Sequence, residues 1–274
     1  MDDNGPLADD PPPPPALKRR YDIELPKRKI PGEPDRYRLP ATQIIRKKSQ
    51  APPEPVCFRF RSRIIWATST PVHRDHPNVW RLRLDPSPTQ RLIRLLVHCL
   101  PVWIRTWAEF AFPEWFLPTG VILKRERQEK DAEEGLFDTE IRAYNQLQPL
   151  QGIVVPVCYG QTRYKGARAL MLQDVGGVSL AEPAGATLEF DQFSRLLQEC
   201  FRALHGLGVN PEDPQLGNFI LVDGRIVAVD LEMVSFDRSP DENASFMASE
   251  ITWMASMYQR IRASLRREGL LKAA

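Results

Sequence analysis

The sequence predicts an α+β protein of two lobes, a small β-rich first lobe and a helical second one, and three observations carry that prediction. From Val56 the chain alternates apolar and charged residues (Val-Cys-Phe-Arg-Phe-Arg), the two-residue period of a half-buried strand. From Phe190 the period becomes helical, with Phe193, Leu196, Leu197, Cys200, Phe201 and Leu204 on one stripe. Between the two regimes stands Gly176-Gly177, a flexible break that reads as the boundary between lobes. The expected organisation is therefore a tail over 1–50, a first lobe over 56–175 and a second over 176–274.

The tail is set apart by composition. Of 26 prolines, 13 lie between Pro6 and Pro55, including the run Pro11 to Pro15, and such a stretch favours extended, solvated chain over a packed core. Residues 1–50 are expected to be disordered. The tail also holds the basic clusters Lys18-Arg19-Arg20, Lys27-Arg28-Lys29 and Arg46-Lys47-Lys48, which read either as solvated charge or as a nuclear address or contact for an acidic protein partner.

The remaining elements follow in order. Residues 89–110 place Leu92, Leu95, Leu96 and Cys99 at helical spacing with arginines interleaved, and Pro101 kinks or ends that helix. Thr119-Gly-Val-Ile-Leu-Lys-Arg reads as a strand, and Glu129 to Leu147 as a helix with Phe137, Ile141, Tyr144 and Leu147 on one face. Two further strands are expected at Ile153 to Tyr159 and Ala167 to Val175, turning at Lys165-Gly166. The long helix from Phe190 stops at Gly206 and Gly208. A polar loop leads into a hairpin, Phe219 to Val222 and Arg225 to Asp230, across Asp223-Gly224. The end of the chain reads as a segment Ser235 to Ser245 and then a helix with Ile251, Met254, Met257, Tyr258 and Ile261 inward and Arg260, Arg262, Arg266 and Arg267 outward.

Composition narrows the function classes. With 37 basic and 35 acidic residues the net charge is +2, too balanced to project a field toward nucleic acid or membrane. Four scattered cysteines show no zinc spacing and read as free thiols, and the acidic, proline-rich start is unlike a signal peptide. An intracellular setting, cytoplasmic or nuclear, is expected. The most apolar window, Leu92 to Phe116, is broken by Arg94, His98, Arg105, Glu109 and two prolines, so no bilayer crossing and no membrane partner are expected. His73, His76 and His98 read as surface or packing residues.

One constellation points to chemistry. Lys124 ends a strand in Val-Ile-Leu-Lys, and Glu140 stands 16 residues on in the following helix, where a carboxylate can fix an ammonium. Asn210-Pro-Glu-Asp-Pro-Gln-Leu-Gly-Asn holds Asp213 and Asn218 at Asp-x-x-x-x-Asn spacing, and Asp230 closes Val-Ala-Val-Asp twelve residues past Asn218. Each alone is an ordinary turn, cap or strand-end residue. In this order, over about residues 117–235, they resemble the protein-kinase-like superfamily, specifically the short fungal protein-kinase-like proteins near the aminoglycoside phosphotransferases.

The resemblance implies that Lys124 pairs with ATP phosphates while Glu140 holds it, that Asp213 is the catalytic base, and that Asn218 and Asp230 bind Mg²⁺. It also implies that Leu170 to Gly177 is the inter-lobe hinge whose backbone, at Gln173 and Val175, meets adenine. The expected function is ATP/Mg²⁺-dependent phosphotransfer to an unassigned protein or small-molecule acceptor; the alternative is a catalytically impaired pseudokinase serving as a nucleotide-binding or protein-interaction module. Several departures bear on the choice. Pro211 and Glu212 stand where kinases carry His and Arg or Gly, Asp-Phe-Gly becomes Asp230-Leu231-Glu232, no glycine-rich loop precedes Lys124, and only 44 residues follow Asp230.

Overall fold

The computed structural model describes residues 52–73, 76–127, 135–236, 238 and 240–271, and the expected tail over 1–50 lies outside them. The alternation from Val56 forms β1 (Glu54–Phe60), which buries Val56, Phe58 and Phe60 and exposes the residues between. It pairs antiparallel with β2 (Arg63–His73), which pairs with β3 (His76–Leu84) and then β4 (Gly120–Arg125). With β5 (Cys158–Tyr164) and β6 (Ala167–Gln173) they make a six-stranded antiparallel sheet of order β1-β2-β3-β4-β6-β5. The sheet curls until its edges meet, where Thr162 Oγ1 donates to the Arg59 carbonyl at 2.5 Å.

Between β3 and β4 the chain leaves the sheet as α1 (Pro88–His98), α2 (Val102–Ala111) and the single turn α3 (Pro113–Phe116). Ser87 caps α1 by accepting from Gln90 N–H, and Pro101 separates α1 from α2, as the sequence indicated. The helix after β4, α4 (Leu136–Gln146), begins well inside the expected 129–147, at Gly135 with φ +93; residues 128–134 are outside the described set. The expected strand over 153–159 is a correction. Residues 151–155 form a turn closed by an isolated Gln151–Val155 bridge, because Gly152 takes φ +77 and Pro156 has no N–H to lend a ladder; β5 starts only at Cys158.

The second half is carried by α5 (Phe190–Gly206) and α6 (Pro240–Arg267), with short strands β7 (Val178–Ser179), β8 (Asn210–Pro211), β9 (Phe219–Val222), β10 (Arg225–Ala228) and β11 (Val234–Ser235). α5 buries Phe193, Leu197, Cys200, Phe201 and Leu204, the stripe that its periodicity marked. Asp223 and Gly224, at φ 48 and 77, turn β9 into β10 as the Asp-Gly pair requires. α6 starts at Pro240, inside the segment Ser235 to Ser245 that was expected to precede it. Its Arg262 faces the body, 8% exposed and paired with Glu189 at 2.5 Å, where solvent was expected.

Two apolar clusters result. One lies inside the curled sheet, from Phe58, Phe60, Leu82, Val121, Leu123 and Met171; the other joins α4, α5 and α6 through Tyr144, Phe193, Phe201 and Tyr258. Strand β6 feeds both, with Ala169 and Met171 on one face and Leu170 and Leu172 on the other. The same alternation in β4 sends Val121 and Leu123 into the sheet and leaves Lys124 on the face toward the helices. Gly177, expected as a flexible break, is instead fixed by a close approach: at φ +72, a Cβ there would sit 2.3 Å from the Leu221 carbonyl oxygen. All described residues fall within one unit, Pro40–Ala274. Among them, no helix is long and apolar enough to cross a membrane.

Candidate functional site

Lys124 is the centre of the site because its strand position aims a charged side chain into the junction of the two halves, where it is only 4% exposed. A buried ammonium demands anionic partners, and three elements supply them. Glu140 of α4, fully buried, accepts from Lys124 Nζ at 2.9 Å. Asp230, just past β10, accepts at 2.6 Å. Glu232 stands at 3.1 Å, with its second oxygen 3.6 Å from Arg127.

The segment after β10 is fixed against α4. Leu231 N–H donates to Glu140 Oε1 at 3.4 Å, the Leu231 side chain is 2% exposed, and the Arg142 guanidinium lies 3.9 Å from the Phe236 ring centroid. Asp230 itself takes φ 62, a left-handed conformation that costs a non-glycine residue about 1–2 kcal/mol and that surrounding structure must impose. Val229 N–H donates to the Asn218 carbonyl at 2.8 Å, which brings the loop asparagine beside Asp230.

The loop holding Asp213 runs between β8 and β9. Its start is anchored to the chain beyond Asp230: β8 pairs with β11, Asn210 Nδ2 donates to the Ser235 carbonyl at 3.3 Å, and Glu212 forms an ion pair with Arg238. Pro211 and Pro214 are buried, bracing the loop by packing. Asp213 is half-buried and accepts from Gln215 Nε2 at 2.9 Å.

Electrostatics follow from this crowding. Burial alone would depress the Lys124 ammonium, but Glu140, Asp230 and Glu232 together hold its pKa above the ordinary value. Complete burial pushes Glu140 up to about 7, with Lys124 opposing and Asp230 and Glu232 adding to the shift. Burial would also raise Asp230, yet Lys124 overcomes it through charge and hydrogen bond, aided by Arg127 and His76, and Asp230 falls below its usual range.

The chain matches no protein-family model and no curated protein.

Of the residues singled out in the sequence, Lys124, Glu140 and Asp230 are in direct contact, Asn218 is joined through the backbone, and Asp213 lies on the same loop. Gln173 ends β6, where its side-chain oxygen accepts Val157 N–H at 3.1 Å, and half-buried Val175 follows in the connection to the second half. Asp174 between them binds Arg81 of β3 at 2.7 Å, tying this connection to the sheet. Three contributors were missed. Glu232 had counted only as a lost glycine, although a carboxylate two residues past Asp230 was visible in the sequence. Arg127, three past Lys124, balances it. His76, read as a surface residue, sits near enough at the start of β3 to influence Asp230.

No three His, Cys, Asp or Glu side chains converge as a metal-holding group among the described residues. Of the two residues expected to hold Mg²⁺, Asp230 accepts from Lys124 at 2.6 Å and Asn218 is joined to this segment through its backbone carbonyl. Mg²⁺ in nucleotide sites is held by one or two hard oxygen ligands together with substrate phosphates and needs no all-protein cage.

Proposed function

We propose that this chain is an ATP- and Mg²⁺-dependent phosphotransferase of the protein-kinase-like superfamily, two-lobed, with the curled sheet and α4 as the first lobe and α5, the β9–β10 hairpin and α6 as a shortened second lobe. One observation carries the reading: a buried lysine from the sheet is held at once by a helix glutamate and by the aspartate that follows the hairpin, at 2.9 and 2.6 Å. The order of these residues along the chain supports the resemblance to short fungal kinase-like proteins.

In this reading Lys124 contacts ATP phosphates, Glu140 orients it, the backbone near Gln173 and Val175 meets adenine, and Asn218 and Asp230 hold the metal. Mg²⁺ supplies charge neutralisation on the transferred phosphoryl group. Asp213 accepts a hydrogen bond from the acceptor hydroxyl once Gln215 yields, positioning it for attack. The four cysteines, all free, support an intracellular setting, cytoplasmic or nuclear.

The second reading, an impaired pseudokinase that binds nucleotide or a protein partner, is favoured by the 3.1 Å contact of Glu232 with Lys124, because a phosphate must compete with it. Thermal-shift titration with Mg·ATP tests both. A ligand at 100 times its Kd stabilises by about 2.7 kcal/mol, a readily measured rise in Tm. That rise is expected to vanish in Asp230→Ala and Lys124→Ala; no rise at millimolar ATP overturns both readings. Label transfer from γ-labelled ATP that is lost in Asp213→Ala supports the transferase, and transfer that survives it removes Asp213 from its role.

A further inference from the structure

The helical insert between β3 and β4 is packed inside out. On α1 the polar residues face the body: Gln90 is 4% exposed and donates to the Trp115 carbonyl at 3.0 Å, and Arg94 donates to the carbonyls of Trp115, at 3.0 Å, and Leu117. The apolar stripe faces out, with Leu95 63% and Leu96 59% exposed. α2 repeats the inversion, with Trp103, Trp107 and Phe110 exposed at 74, 61 and 73%. The joint between the helices, Leu100 to Val102, is apolar and exposed too, so the two stripes form one band. Patches of this kind mark protein or membrane contacts.

Charge decides between them. From Pro88 to Ala108 the insert carries Arg91, Arg94, His98 and Arg105 and no Asp or Glu; Glu109, its first acid, stands a loose 4.0 Å from Arg105. Arg61 of the β1–β2 turn adds a further cation at the edge, donating to the Ala111 carbonyl at 3.3 Å. A second copy docking by the same patch would bring two net-basic surfaces, each carrying Arg91, His98 and Arg105, against one another. An anionic bilayer surface complements them, and tryptophan and phenylalanine beside arginine are the composition of helices that lie in a headgroup layer. Beside the band, a cavity of about 430 Å³ is lined by Arg94, His98 and Arg105 and also by Glu109.

We propose that α1 and α2 form a docking face for an anionic lipid surface, lying flat on the membrane without crossing it. The expectation of no membrane partner rested on the balanced net charge of the whole chain and the lack of a spanning segment, and neither describes a local face where aromatic residues and arginines stand together.

The test is flotation of the full-length chain with vesicles of phosphatidylcholine, with and without phosphatidylserine, alongside light scattering for oligomeric state. The wild type is expected to float with phosphatidylserine vesicles and to be released by salt. Trp103→Glu with Trp107→Glu is expected to weaken partition on the order of tenfold or more, and Arg91→Glu with Arg105→Glu about fivefold for each arginine lost. All four side chains lie at least partly in solvent, so circular dichroism and Tm should be unchanged. Failure to float with either vesicle overturns the proposal. So does flotation unaffected by the tryptophan changes, which would assign binding to the basic tail, or a dimer that those changes dissolve in a chain that ignores vesicles.

Discussion

Replacing Glu232 by Gln isolates the contact that separates the two functional readings. Lys124 Nζ and Glu232 Oε1 are 3.1 Å apart, and the residues are 4 and 7% exposed. At an effective permittivity of about 20, unit charges at that separation attract by roughly 5 kcal/mol. Most of this is offset by the cost of burying both ions, so about 1–2 kcal/mol remains to oppose an incoming phosphate, on the order of a tenfold loss of affinity. Glutamine keeps the shape and an acceptor oxygen while removing the charge. Calorimetric titration of Mg·ATP is therefore expected to give a Kd about tenfold lower for Glu232→Gln. The gain should disappear when Lys124→Met is added, because the lysine is what the substitution releases. If Glu232→Gln binds ATP no tighter than wild type, the carboxylate does not compete with phosphate, and the argument from its contact with Lys124 is wrong.

Further outcomes follow from other contacts. Tyr258 stacks on Phe193 with centroids 3.9 Å apart, and its hydroxyl oxygen accepts from Leu188 N–H at 3.0 Å; Tyr258→Phe orphans that amide and should cost about 1–3 kcal/mol in urea unfolding. Gly177→Ala should destabilise severely, since the new Cβ meets a backbone oxygen at 2.3 Å, whereas Gly176→Ala, with open space and only a φ of +65 to satisfy, should cost about 1 kcal/mol. Equal Tm losses for the two glycines would contradict the packing described. Glu140, at an ordinary 4.5 in the unfolded chain and about 7 in the folded one, keeps a proton on folding across that window. Its contribution is full below about 4.5 and is lost as pH rises through about 7, worth about 3 kcal/mol in all. Glu140→Gln should flatten that part of the stability profile, and an unchanged slope would count against the raised value. Asp230 runs the opposite way, its contribution being lost as pH falls below the ordinary carboxylate range.

Local signals were strongest where one residue dictates backbone shape. Asp223-Gly224 and Lys165-Gly166 made their hairpins, and the stripe from Phe193 to Leu204 made α5. The pairing of Lys124 with Glu140 was expected from the resemblance, and the strand and helix that carry the two residues hold them in contact. Glu232 was not, since its reach depends on Asp230 adopting a left-handed turn that no propensity demands. The strand expected at Ile153 failed because a run of β-branched residues says nothing about whether a neighbouring ladder is in reach. The helix over 89–110 was expected from its spacing, but that spacing says nothing about which side faces the body. Which way a stripe faces is settled by what else competes for the carbonyls of Trp115 and Leu117, and that is a property of the tertiary structure.

The lysine at the centre of the site also ties function to the order of folding. Glu140 is 16 residues away from it, but Asp230 is 106 away, on the far side of α5 and the hairpin. Closing so long a loop is entropically expensive and tends to come late. During synthesis Lys124 and Glu140 emerge together and can pair early, whereas the aspartate arrives only after most of the chain has left the ribosome. Under the proposed reading, nucleotide affinity reports on completion of the whole fold, and a chain clipped before Asp230 would carry the lysine and its helix partner without the aspartate.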